Sequence, residues 1–289
     1  MRAELALIVA TLLALPLCAA ETPGTTETPD AVEILKRCLD RDRANESRLR
    51  DYNYTEVEVT NTLGKSGAVV KSESKTYDVL NLYGRHYRRL VARDGTVLEG
   101  KAKQKADEEF DNEVRKRERE SPEEREKQAA EREKGRAESR KFLDEIPRAY
   151  NLKVVGEETI DDVPVWVIEG TPRPDFHSSV RRSDLLKKMR GRIWVDKSAN
   201  QFVRAEIDLL EPISFGGFLA KLDRGAQLSF RQTRINGEVW LPAKAAAHAE
   251  GRLLMKHLSI ASESTWSNYR KFQVDSKITP GEEASPVSQ

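Results

Sequence analysis

Between Gly191 and Glu211 the chain alternates on both sides of a turn, and this period of two narrows the available folds more than any other stretch. Ile193 and Val195 alternate with Arg192, Trp194 and Asp196, and a polar cluster runs from Asp196 to Gln201. Val203, Ala205, Ile207 and Leu209 then alternate with Arg204, Glu206 and Asp208. Successive side chains of a strand point to opposite faces, so the pattern is that of an antiparallel hairpin with one apolar and one wet face. Its apolar face requires a cover.

The same period recurs along the chain. In Tyr52 to Thr62, Thr55, Val57 and Val59 alternate with Tyr54, Glu56 and Glu58, and the Gly-containing turn at 63–67 returns the chain from Ala68 to Leu82. A third strand, Arg85 to Ala92, ends at Asp94-Gly95, a tight-turn dipeptide. Leu152 to Ile160 and Val163 to Glu169 flank Asp161-Asp162. In the second of these, Val163, Val165 and Val167 share one face while Trp166 and Ile168 take the other, which predicts cover on both sides. Ser183 opens a short helix to about Met189. Ala226 to Ile235 and the return through Glu250 are joined by Asn236-Gly237, and Arg252 to Trp266 reads as one further strand. Helices do not alternate with strands, so the fold class is α+β, mostly β. The expectation is a curved antiparallel sheet or unclosed β-barrel of about ten strands.

Two helical segments interrupt this pattern. Asp30 and Glu33 form a capping box, and Ala31, Ile34, Leu35, Cys38 and Leu39 fall at helical spacing, predicting an amphipathic helix over 31–49 that packs on the apolar face of the sheet. From Lys101 to Glu145, 29 of 45 residues are charged, 14 basic and 15 acidic. Interspersed signs of charge favour a solvated helix over disorder. Ser121-Pro122-Glu123-Glu124 is a second helix start, so this stretch is expected to form two helices, or one sharply kinked helix, inserted into the sheet.

The N-terminus carries an address. Arg2, the apolar run from Leu5 to Leu17 and the small residues of Cys18-Ala19-Ala20 read as a secretory signal over 1–20, with the cut before Glu21. An uncleaved anchor and lipidation at Cys18 remain open as alternatives. Residues 21–29 read as a flexible leader, 30–275 as one β domain that contains the 101–145 insertion, and 276–289 as a disordered tail. After cleavage the expectation is a periplasmic protein with no transmembrane segment, because no later apolar run approaches the ~20 residues a span needs. Cys38 is then the sole thiol and reads as a small buried hydrophobe.

Chemistry-bearing motifs are absent from the sequence. His86, His177, His248 and His257 fall into no metal spacing, no serine sits in a nucleophile elbow, and no glycine-rich loop is placed to cradle a phosphate. No catalytic residue, metal or cofactor is expected. Lys plus Arg (49) nearly balance Asp plus Glu (48), which gives no basic field for nucleic acid.

The motif Gly-x-Ile-Trp-Val-Asp-Lys at 191–197, the following Phe-Val-Arg-Ala-Glu at 202–206 and the strand Val163 to Glu169 come after a leading amphipathic helix. In this order they resemble the LolA-like superfamily of outer-membrane lipoprotein-sorting proteins, seen here in an exported bacterial chain. The charged insertion is an addition to that pattern. The resemblance implies a half-open β-barrel that holds acyl chains against apolar side chains. On this reading Ile193, Val195, Val203, Ala205, Ile207 and Leu209 form the floor of a groove. Phe215, Phe218 and Leu219 form a mobile lip, with Leu228 and Phe230 beside them. The expected function is a non-catalytic periplasmic binding protein for an acyl chain or other apolar ligand, in lipid or lipoprotein trafficking, with a lipid or acylated protein as partner. The alternative is an envelope interaction or sensor module whose own helix fills the groove and whose 101–145 helices bind a protein.

Overall fold

The computed structural model describes residues 29–46, 48–215 and 219–271, with the side chains of Glu46 and Phe215 excepted. The expected signal at 1–20, the expected leader up to residue 28 and the expected tail at 276–289 lie outside the described residues. The strands form one 13-stranded antiparallel sheet that does not close into a barrel. In chain order they are β1 (Tyr52–Leu63), β2 (Val69–Leu82), β3 (Arg85–Arg93), β4 (Thr96–Val97), β5 (Tyr150–Ile160), β6 (Val163–Pro172), β7 (Met189–Asp196), β8 (Phe202–Leu209), β9 (Ile213–Phe215), β10 (Ala220–Leu222), β11 (Gln227–Ile235), β12 (Val239–Leu253) and β13 (Lys256–Lys271). The main path runs β4-β3-β2-β1-β13-β12-β11-β8-β7-β6-β5, so the first long strand pairs with the last, and β4 and β5 are the two edges.

The helices are α1 (Ala31–Glu46), α2 (Gly100–Arg119), α3 (Pro122–Asp144) and the single turn α4 (Ile146–Ala149), with 3-10 turns at Arg48–Asp51 and Ser183–Lys188. Helix α1 starts at the predicted position, Ala31, with Asp30 Oδ1 accepting from the backbone N–H of Val32 at 2.8 Å and not from that of Glu33 as a capping box would have it, and it stops three residues earlier than expected and gives way to the tighter turn. Ala31, Ile34 and Cys38 pack on Ile168 and Val195, with Leu152, Val154, Trp166, Ile193 and Phe202 around them. On the far side of β6, Val165 and Val167 pack with Trp194, Val203 and Trp240. Strand β6 is thus buried on both faces, as its doubled alternation predicts. Asn45 fastens the other end of α1, exchanging two side-chain hydrogen bonds with the backbone of Trp240.

The charged stretch forms two helices, and the Ser121–Glu124 capping box is present in both directions, at 3.2 and 2.9 Å. Helix α2 is anchored to β3 rather than free. Arg117, only 6% exposed, donates to the carbonyls of Leu82 (2.9 Å) and Arg85 (2.7 Å) and pairs with Glu113 at 2.6 Å. Arg89 pairs with Asp107, and Tyr87 packs on Phe110 with ring centroids 5.7 Å apart. Helix α3 then carries the chain toward the opposite edge, where Asp144 pairs with Arg43 of α1 before β5 begins. Together α2 and α3 link the two open edges of the sheet.

Two readings of strand boundaries need correction. Arg252 to Trp266 is not one strand, because a two-residue turn at Leu254-Met255 separates β12 from β13, with Leu253 opposite Lys256. The sheet also has thirteen strands where about ten were expected, because β4, β9 and β10 have only two or three residues each, too few to show a period.

Candidate apolar pocket

A cavity of about 340 Å³ lies between α1 and the sheet. Leu35, Cys38 and Leu39 of α1 form its roof, and Phe142, Leu143 and Ile146 at the end of α3 and in α4 close one side. The sheet supplies Leu152, Ile168, Ile193, Phe202, Ala205 and Ile207. Asp42, Arg190 and Glu206 are the charged groups at its wall. Arg190 is held by Asp208 at 2.9 Å, and Asp42 accepts a hydrogen bond from Gln201 at 3.2 Å, which leaves the interior to carbon.

At one level of the cavity wall two neighbouring strands carry no side chain. Gly170 and Gly191 lie directly opposite each other on β6 and β7, and both line the pocket. A Cβ built on Gly170 would come within 3.2 Å of Leu152 and Tyr150, so the floor there is bare backbone closely overhung by neighbours. An isolated glycine inside a strand is the sequence sign of such an approach.

The predicted floor residues divide. Ile193, Ala205 and Ile207 line the cavity. Val195 is fully buried beneath α1. Leu209 lies in a neighbouring cluster with Ile213 and Ala226. Val203 faces the other side of the sheet, packed with Val165, Val167 and Trp194. The register shifts between Trp194 and Val195 where β7 meets β8, so Val195 faces Phe202 and one residue of β8 is skipped. That bulge inverts the alternation, and Phe202 takes the place assigned to Val203. Phe230, opposite Ala205, does not line the pocket but packs on Phe202 (5.8 Å) and Trp266 (6.3 Å). Leu228, opposite Ile207, is 46% exposed and lines a separate, more polar cleft with His248 and Glu263. In the lip, Phe218 and the side chain of Phe215 lie outside the described residues, and Leu219 is exposed beside the β12–β13 turn instead of over the pocket.

Burial dominates the acid–base behaviour of this region. Removal from water, reinforced by the Asp42 carboxylate, pushes the Cys38 thiol from its ordinary 9.0 up to about 12, and burial alone pushes the Tyr150 phenol from 10.0 up to about 12. At pH 8 the thiolate fraction is then on the order of 10⁻⁴, so burial disfavours Cys38 as a nucleophile. We expect aromatic disulfide reagents to leave Cys38 unmodified in the native chain and to label it at once in urea, as read by peptide mass mapping. Both groups also set an alkaline limit to stability. The unfolded chain loses these protons near pH 9 and 10 and the folded chain only near 12, so their stabilising contribution is complete below pH 9 and is lost as pH rises to 12. The urea midpoint should therefore fall between pH 9 and pH 12.

Elsewhere His86, its charged form disfavoured by burial, hydrogen-bonds the Tyr52 carbonyl at 3.0 Å, and Glu56 is pushed up by burial against the opposing pull of Arg88 at 2.8 Å. Among the described residues no group of three or more His, Cys, Asp or Glu could hold a metal. No helix among them is long and apolar enough to cross a membrane.

The fold and the pocket define an open antiparallel sheet with an apolar cavity beneath its N-terminal helix. No family model matches the chain, and no curated protein matches it at a significant level. Solved structures similar to it include a DUF1329 family protein from Desulfovibrio piger, at 14% identity and a TM-score of 0.33, over 86% of this chain and 96% of that one. A LolA superfamily protein from Nitrosomonas europaea is similar at 14% identity and a TM-score of 0.30, over 85% and 94%. The MucA/MucB complex of Pseudomonas aeruginosa is similar at 11% identity and a TM-score of 0.24, over 85% and 100%.

Proposed function

We propose that this protein is an exported, non-catalytic binding protein of the periplasm that takes an acyl chain or a similar apolar ligand into the cavity between α1 and strands β5 to β8. The observation that carries the reading is the cavity itself: about 340 Å³, within the lower range of ligand pockets, walled by aliphatic and aromatic side chains with its few charged groups already engaged. Such a space selects for carbon and not for a hydrogen-bonding pattern. Each buried methylene contributes ~0.8 kcal/mol, so a single chain needs no specific polar contact to bind. The expected signal at 1–20 supports the export route, and α1 serves as the roof that a ligand must pass.

Native mass spectrometry of the protein purified from a cell-envelope extract tests this reading. A lipid-sized adduct that organic solvent removes is the expected result. A ligand-free chain that also fails to take up added palmitate would overturn it.

A second reading has one observation in its favour. Helix α3 spans 23 residues without a single buried one, although α2 beside it is anchored, so α3 offers a long charged face to a protein partner. A partner captured by the native chain and lost when the exposed face of α3 is reversed in charge, with no lipid adduct at any stage, would favour that reading over the first.

A further inference from the structure

Among the described residues, the tight turns of this sheet are polar or glycine-bearing with one exception. The left-handed positions fall in Tyr83-Gly84, Asp94-Gly95, Asp161-Asp162 and Asn236-Gly237, the chemistry such turns favour. The turn between β12 and β13 is Leu254-Met255, and Leu254 holds a φ of 54°, a backbone conformation that a bulky side chain adopts at a cost. Met255 is 96% exposed, the most exposed of the large hydrophobics among the described residues. Asn and Gly would fit this turn better and hide nothing, so its apolar pair is unexplained by folding.

The turn is not isolated. Ten large hydrophobics are exposed among the described residues, and six of them meet at one end of the sheet: Val69, Val70, Leu219, Leu253, Leu254 and Met255. The pairing of β1 with both β2 and β13 brings the β1–β2 turn to the same end as the β12–β13 turn, and the N–H of Leu254 donates to the Leu219 carbonyl at 2.7 Å. Cations surround this tip. Arg252 stands in register between Lys221 and His257 on the flanking strands, an arrangement of basic groups that gains nothing from the sheet. Lys221 is held by Asp223 at 3.2 Å, whereas Arg252, Lys256 and Lys65 have no carboxylate partner among the described residues. An apolar tip ringed by basic groups matches one surface closely: acyl chains beneath anionic phosphates.

We propose that this end of the sheet docks on an anionic lipid surface, with Leu253, Leu254 and Met255 entering the acyl region and Arg252 and Lys256 meeting the phosphates. The inference does not rest on the pocket holding a ligand. The tip and the cavity are separate, since the cavity residue Ile207 stands in register, through Leu228, with Ala247, six residues before Leu253 on β12.

The test is flotation of the full chain with vesicles of phosphatidylcholine alone and of phosphatidylcholine with phosphatidylglycerol, beside the double variant Leu254→Asn with Met255→Gly. That variant installs the Asn-Gly turn already present at 236–237, so its melting temperature should hold or rise and lost binding cannot be blamed on unfolding. Expected are binding to the anionic vesicles that weakens with salt, and at least about a tenfold loss in the variant, given two apolar side chains removed from the contact. Equal flotation of variant and parent would overturn the proposal. So would a parent chain that ignores vesicles but self-associates, or that binds a protein through this tip, with the variant doing neither.

Discussion

Ala205→Trp is expected to weaken the binding of a fluorescent long-chain fatty acid by at least about thirtyfold without unfolding the protein, a loss of ~2 kcal/mol or more. Ala205 is half-buried, lies between Ile193 and Phe230 in the register of β7, β8 and β11, and projects into the cavity. An indole at this position occupies space that the acyl chain would fill. Displacing a few methylenes at ~0.8 kcal/mol each accounts for the loss. Because the added ring enters a void instead of a filled core, the usual penalty of overpacking does not apply in full. Far-UV circular dichroism should be unchanged, and unchanged affinity would show that the ligand binds elsewhere.

The second large effect is on stability. Ile34 is 2% exposed and joins α1 to Ile168 and Val195, so Ile34→Ala removes three carbons from the contact between helix and sheet and should cost about 2–4 kcal/mol. Urea unfolding reads the change directly. Lys36→Ala, on the exposed face of the same helix, should stay within about 0.5 kcal/mol of the parent. The loosened roof has a second signature: Cys38, one turn further along α1, should become reactive in Ile34→Ala under conditions where it is silent in the parent. If Ile34→Ala were as stable as the parent, α1 would not be seated as described, and the cavity would lose its roof.

Much of this architecture was legible in residue order because it depends on local periods. The helical spacing of Ala31, Ile34 and Cys38 located α1 and its buried face, the doubled alternation in Val163 to Glu169 foretold a strand covered on both sides, and Ser121 to Glu124 placed the start of α3. The errors came where the period was broken without a sign, or kept where structure breaks it. The bulge opposite Val195 carries no glycine or proline, so unbroken alternation puts Val203 on the wrong face and hides Phe202. Leu253 to Met255 is an apolar run with no Gly, Pro, Asn or Asp in it, which hides a turn made of residues that rarely make one. The pocket itself was half visible. Its sheet wall followed from alternation at Ile193, Ala205 and Ile207, but its side wall of Phe142, Leu143 and Ile146 arises from a contact between the end of the charged stretch and a helix a hundred residues earlier, which no local pattern encodes. Gly170 was the available clue, a lone glycine in an otherwise buried strand.

The central claim is that an acyl chain lies between α1 and strands β5 to β8, and a stearic acid spin-labelled near its methyl end measures this most directly. In methyl-resolved NMR spectra the signals of Leu35, Ile193 and Ile207 should lose intensity first and recover when the label is reduced, while those of Val203 and Val165, across the sheet, persist. Uniform or absent broadening at Leu35, Ile193 and Ile207, with the loss confined to Leu228 or to the Leu254-Met255 turn, would contradict the account.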